Sequence, residues 1–294
     1  MTDKDSHRSI WSHLLRTPFK QDWVDAGGVS TRYIQAGPAD APKVVMIHGT
    51  SSSWEAFCAT IESHAKHFNC YALDLVGCGF SDKPDKPYEI PVYVEHVRAF
   101  MDALGIQHAS LIGVSLGAWV AGRFAVTYPE RVDRMTLLAT SGMVVNKETM
   151  NRTKGVRGNA VDDPSWENIE RVFDSILFDK KDRIDDLVMV RQTIYRQPGI
   201  KTAMNNVLVL QEPEVRERNL VTEDEWRTVK APLLIWLAPD DNPDYLVTGK
   251  RIAEVAPDAR TVEVTGVKHW THFERPDIFD RVNIAFLKGE DVQP

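Results

Sequence analysis

Short runs of consecutive apolar residues set the pattern of this chain, separated by longer stretches in which apolar and polar positions interleave at helical spacing. Residues 44–47, 70–73 and 110–114 are three such runs, each bounded by turn-forming residues. A run that is apolar at every position, rather than at alternate ones, suits a strand buried on both faces. With amphipathic segments between them, the three runs predict a parallel sheet covered by helices. Residues 135–139, 232–237 and 260–264 continue the series. Ahead of it, residues 23–35 alternate on either side of Gly27-Gly28, which suits a two-residue hairpin turn because glycine accepts positive φ freely. The pattern predicts an α/β chain with an eight-stranded, mostly parallel sheet that opens on an antiparallel hairpin.

Between residues 143 and 226 the alternation stops and the pattern is helical throughout. Asp163 before Pro164 suits a helix start, with Trp166, Ile169, Val172, Phe173, Ile176 and Leu177 on one face. Ile184, Leu187, Val188, Arg191 and Tyr195 fall on another helical face, where a guanidinium is out of pattern. This stretch reads as a helical lid over 145–228, inserted between core segments 1–144 and 229–294.

Composition narrows the partners. The balance of 35 basic against 42 acidic residues, net −7, offers no basic footprint for nucleic acid. No stretch of about 18 apolar residues suggests a membrane span, and the N-terminal segment lacks the apolar core of roughly 7–15 residues that a secretory signal carries. Cys58, Cys70 and Cys78 are odd in number and lack metal-ligand spacing. They read as reduced, buried thiols of a cytoplasmic protein with a small-molecule substrate. The sequence leaves room for a homo-oligomer without setting its size.

Chemistry concentrates at Gly113-Val114-Ser115-Leu116-Gly117, between an apolar run and a helix-like one. A sharp strand-to-helix turn pushes the central side chain outward, and small residues two positions either side let neighbouring backbones pass. Ser115 is therefore the candidate nucleophile. A serine hydroxyl needs a base, itself oriented by a third group. Of nine histidines, His269 follows the last strand and is the candidate base, with His272 competing from nearer the final helix. The acid should stand after the run 232–237, where Asp240 and Asp241 are adjacent. Counting forward from the strand favours Asp240, the preferred acid; counting back from the next helix favours Asp241, the alternative. Backbone N–H groups of Thr50 and Leu116 are the candidate oxyanion donors, each such donor contributing roughly 2.7–4 kcal/mol. His48 reads as a brace for the loop that carries Thr50.

The order of serine, late aspartate and final histidine, joined by His48-Gly49 and Asp74-Leu75-Val76-Gly77-Cys78-Gly79, resembles the α/β-hydrolase superfamily over residues 23–287. Serine at 115 argues against haloalkane dehalogenases and epoxide hydrolases, whose resembling members carry aspartate there. His269-Trp270 is similar to the meta-cleavage-product hydrolases, which cut a carbon–carbon bond in vinylogous diketone acids. That resemblance implies that Arg191 meets a substrate carboxylate and that Trp270 touches the substrate. The subgroup usually carries asparagine where this chain has Val114 and Ala56. Losing those groups should hurt carbon–carbon cleavage more than ester cleavage. The sequence therefore ranks hydrolysis of a small, largely apolar carboxylic ester first, carbon–carbon cleavage second, and a non-catalytic small-molecule receptor third. No metal or organic cofactor is required by this chemistry.

Overall fold

The computed structural model describes residues 9–291; His7 and the charged start of the N-terminal segment lie outside the described residues. Eight strands form one sheet: β1 (Phe19–Asp25), β2 (Ser30–Ala36), β3 (Lys43–Ile47), β4 (Asn69–Leu73), β5 (Ala109–Val114), β6 (Val132–Leu138), β7 (Leu233–Leu237) and β8 (Ala259–Glu263). Their spatial order is β1-β2-β4-β3-β5-β6-β7-β8. β1 pairs antiparallel with β2, and β2 with β4, whereas every later pair is parallel. The hairpin closes as the alternation predicts: Ala26 N donates to Val29 O at 2.9 Å, and Gly27 and Gly28 between them have φ of 68° and 86°.

The central strands are covered on both faces, and for that reason they are apolar at consecutive positions. Val44, Val45, Met46 and Ile47 of β3, and Leu111, Ile112 and Val114 of β5, are all fully buried. β6 starts earlier than the run 135–139 indicates, because Asp133 and Arg134 extend it at its exposed end.

Between β6 and β7 the chain forms helices Lys147–Asp162, Trp166–Asp174, Asp185–Tyr195, Ile200–Val207, Pro213–Asn219 and Glu223–Trp226. One detail of the reading is corrected. Asp163 ends the first of these helices instead of opening the second, whose cap position is Ser165. Its carboxylate is taken up by the Asn168 amide at 2.9 Å. Ile176 and Leu177 lie beyond that helix yet stay buried. Among the described residues no helix is long and apolar enough to cross a membrane. The three cysteines are free and buried.

Four buried histidines are kept neutral by their surroundings. Burial pushes His48, His64 and His272 down to about 4 and His96 to about 3. Once unfolded, each ring returns to about 6.5 and binds a proton that the folded chain refuses. The unfolded state thus holds more protons below pH about 6.5, and stability declines as pH falls toward about 4. Asp280 acts in the opposite sense, since burial lifts its carboxyl to about 7, and burial raises the Glu55 and Glu274 carboxyls as well, but these are three groups against four. The calorimetric unfolding midpoint is expected to fall continuously from pH about 6.5 to pH about 4. A flat midpoint across that window would show that these rings are not held neutral.

Candidate active site

β5 ends at Val114, a helix begins at Leu116, and the single residue between them turns the chain. Ser115 has φ 57° and ψ −112°, a conformation that costs a non-glycine residue about 1–3 kcal/mol and persists only where the surroundings enforce it. They do so here. Ser115 N donates to Leu138 O at 2.9 Å, and the Ser141 hydroxyl donates to Ser115 O at 2.9 Å. A Cβ at Gly117 would stand 2.0 Å from Ile47 O, and one at Gly113 2.4 Å from Gly117 O. Neither position admits any other residue without moving backbone, so the glycines let β5 and its helix press against β3.

His269 lies in the loop after β8 and lines the same cavity as Ser115. Its Nδ1 is 3.1 Å from Asp241 Oδ2. The preference for Asp240 is thereby corrected. Asp241 N bonds to Ala238 O at 3.1 Å, making a tight turn after β7. The turn leaves Asp240 exposed, with Oδ2 accepting from Gly266 N at 2.8 Å. Asp244 is elsewhere again, accepting from Asn146 Nδ2 at 3.1 Å and from the Thr149 hydroxyl at 2.5 Å. His272 is a core residue: it bonds Ala56 O through Nε2 at 2.9 Å and packs 5.3 Å from the Phe57 ring.

The helical insert holds the base loop in place. His269 N donates to Ile176 O at 3.1 Å. The buried Glu274 carboxylate accepts from Lys268 N at 2.8 Å and Phe178 N at 2.5 Å, so it joins the loop to the insert. The loop after β3 is held similarly, since Tyr195 Oη bonds Ser51 Oγ at 2.9 Å and Arg191 Nη2 donates to Ser52 Oγ at 2.9 Å. His48 braces this loop from beneath: Nδ1–H donates to Gly49 O at 2.7 Å and Nε2 accepts from Leu75 N at 3.0 Å.

Thr50 and Leu116 both line cavity space beside Ser115. Leu116 is the first residue of its helix, a position whose N–H has no acceptor within the helix. Arg191 is 4% exposed, lies 5.1 Å over the Phe173 ring and faces the cavity. Its Nη1 has no partner, and among the described residues no carboxylate pairs with it. Trp270 is buried edge-to-face on Phe173 at 5.8 Å while also lining the cavity, so it serves the core and the site together.

Two residues escaped the sequence reading. Tyr245 packs its ring 4.8 Å from His269 and lines the cavity together with Ser115; burial raises its hydroxyl to about 12. Arg157 is buried and lines the cavity too. The signal for Arg157 was available: it shares a helical face with the buried Met150, Ala160 and Val161, the same anomaly that singled out Arg191. Among the described residues no cluster of side chains suits a metal ion.

Residues 42–276 match the family described as alpha/beta hydrolase fold. The chain is 26% identical over 272 residues to a 2-hydroxy-6-oxo-2,4-heptadienoate hydrolase of Pseudomonas putida, covering 91% of this chain and 96% of that protein. It is 27% identical over 277 residues to a 2-hydroxymuconate semialdehyde hydrolase of Pseudomonas sp., covering 92% of this chain and 94% of that one. A meta-cleavage product hydrolase from Pseudomonas fluorescens, solved with acetates, superposes with a TM-score of 0.81 at 28% identity, covering 91% of this chain and 97% of that one. These relatives are named as hydrolases of a dienoate, a semialdehyde and a meta-cleavage product, none of them an ester, which overturns the first place given to ester hydrolysis. Val114 and Ala56, the residues on which that ranking rested, are buried apolar positions.

The geometry separates the two neighbouring aspartates by experiment. Asp241→Asn should slow labelling of Ser115 by a fluorophosphonate about 10³–10⁴-fold, because an amide holds the imidazole in the wrong tautomer. Asp240→Asn, which only weakens a bond to Gly266, should change the labelling rate less than about threefold. The reverse ranking would restore Asp240.

Proposed function

Because the chain belongs to the alpha/beta hydrolase fold family, we propose that it is a serine hydrolase cutting a carbon–carbon bond in a 2-hydroxy-6-oxo dienoate. The observation that carries this reading is Arg191, buried in the cavity that holds Ser115 with one nitrogen unpartnered. A simple ester has no use for such a cation, whereas a dienoate brings a carboxylate. Relatives aligned over nine-tenths of the chain and named for such substrates support the same reading.

Carbon leaves only as a stabilised anion, so the substrate must first be rearranged. The enol proton at the 2-hydroxyl moves to the carbon next to the 6-oxo carbonyl, leaving ketones at both ends. Ser115 Oγ then attacks the 6-oxo carbon while His269 takes its proton, with Asp241 holding the imidazole. Negative charge on the former carbonyl oxygen falls toward the Thr50 and Leu116 N–H groups. When the tetrahedral centre collapses, the carbon–carbon bond breaks and its electrons pass along the chain to the 2-oxo oxygen as a dienolate. Protonated His269 returns the proton. Water, activated by the same base, hydrolyses the acyl-serine.

The asparagines usual in the carbon–carbon subgroup are Val114 and Ala56 here, so other polar groups must steer the enol and keto forms. Tyr245 lines the cavity with Ser115 and stays protonated at neutral pH, which makes it a donor in that space. Ser52, held by Arg191, is another. The insert over 145–228 acts as the lid, excluding water from the dienolate. The free, buried thiols fit a cytoplasmic enzyme.

Wild-type protein should consume a 2-hydroxy-6-oxo dienoate with kcat/KM at least about tenfold above that for p-nitrophenyl butyrate. Ser115→Ala should abolish both activities. Turnover of the ester alone would overturn the proposal. Arg191→Ala should raise KM for the dienoate about 10- to 100-fold, the worth of a charge-assisted hydrogen bond, and leave KM for a neutral ester nearly unchanged. An equal effect on both substrates would remove Arg191 from carboxylate binding.

A further inference from the structure

Arg191 accounts for one anionic group, and the cavity holds a second buried guanidinium that this role does not use. Arg157 is 8% exposed, and its Nε and Nη1 have no hydrogen-bond partner. It lines the cavity together with Ser115, Arg191 and, at the exposed rim, Arg152. The one carboxylate in that lining is Asp241, already committed to His269. Burial pushes Arg157 down to about 10, and Arg191 lies close enough to push it further in the same direction.

A buried cation without a counter-ion is costly and survives where something else supplies the charge. No carboxylate of the described residues pairs with Arg157. A substrate with a single carboxylate would satisfy Arg191 and leave Arg157 with its desolvation uncompensated. Two guanidiniums without a carboxylate partner in one cavity match two anionic groups, each able to receive planar, forked donation.

We infer that Arg157 forms a second anion subsite and that the favoured substrate is a dicarboxylate, carrying a further acidic group besides the dienoate carboxylate. This deepens the proposed function and rests on it for the identity of the first carboxylate. No bond changes at Arg157; it binds and orients.

Calorimetric binding tests the subsite without relying on any reaction. The probes are the linear dicarboxylates glutarate through suberate and the monocarboxylates of matching length, titrated into the Ser115→Ala protein and the same protein carrying Arg157→Gln or Arg157→Lys. The best dicarboxylate should bind about 10- to 100-fold more tightly than its monocarboxylate. Arg157→Gln should erase that margin while leaving the monocarboxylate within about twofold. Arg157→Lys, which keeps the charge, should retain part of it, and this distinguishes an anion site from a folding defect. Equal affinity for both classes, or equal weakening of both by Arg157→Gln, would overturn the inference. The two readings also fail separately. If no dienoate is cleaved but the dicarboxylate margin follows Arg157, the proposed reaction falls and the subsite stands; if a monoacid dienoate is cleaved and no margin exists, the subsite falls alone.

Discussion

The contact between Gly117 and the carbonyl of Ile47 is the constraint on which the site depends. A methyl group there would lie 2.0 Å from Ile47 O, so only a glycine allows the helix after β5 to lie against the end of β3. That approach brings Gly49 against Ser115, where a Cβ would be 3.3 Å from the serine Cβ. The N–H groups of the loop after β3 and of the first helical turn can then address the same carbonyl oxygen. Placing β3 next to β5 in the sheet is thus what the proposed oxyanion site requires of the topology. The strain at Ser115 is balanced by the hydrogen bonds at its N–H and C=O.

The second requirement is met by the insert. It reaches the core at both loops of the candidate site: Ile176 and Phe178 at the His269 loop, and Arg191 and Tyr195 at the loop after β3. Asn146 and Thr149 fasten its first helix to Asp244 at the start of the helix after β7. Base, oxyanion loop and roof are therefore coupled through buried polar contacts. Displacing the insert would loosen the orientation of His269 as well as open the cavity, so binding and turnover should respond together to changes in it.

Much of this was legible in the sequence, for identifiable reasons. Strands buried on both faces announce themselves as unbroken apolar runs, and a strained serine between a strand and a helix needs glycines two positions away. Both signals are local. The choice between Asp240 and Asp241 was not, because it depends on the Asp241 to Ala238 turn, whose single-residue offset decides which side chain meets the imidazole. Arg157 was harder to see than Arg191, since its helix is polar at most positions and the stripe of Met150, Ala160 and Val161 is thin. The ranking of ester over carbon–carbon cleavage failed for a chemical reason. It counted missing asparagines, a local signal, whereas the polar groups that line the cavity with Ser115, Tyr245 among them, are distant in sequence.

A serine, histidine and aspartate determine that a carbonyl is attacked, and they are the same for an ester and for a diketone acid. What differs is the leaving group, and its requirements fall on the rest of the cavity. An alkoxide leaves with one proton from the histidine, whereas a dienolate must be assembled beforehand and kept from water as charge spreads along it. Buried cations serve that need because a low-dielectric enclosure strengthens their effect on charge held nearby. They also oppose folding until a substrate arrives, since each guanidinium gives up hydration for incomplete partnership. On the proposed reading, the unpaired nitrogens of Arg157 and Arg191 distinguish the reaction better than the triad does, because a stabilising substitution could have removed them from the core, whereas an anionic substrate would give them a purpose.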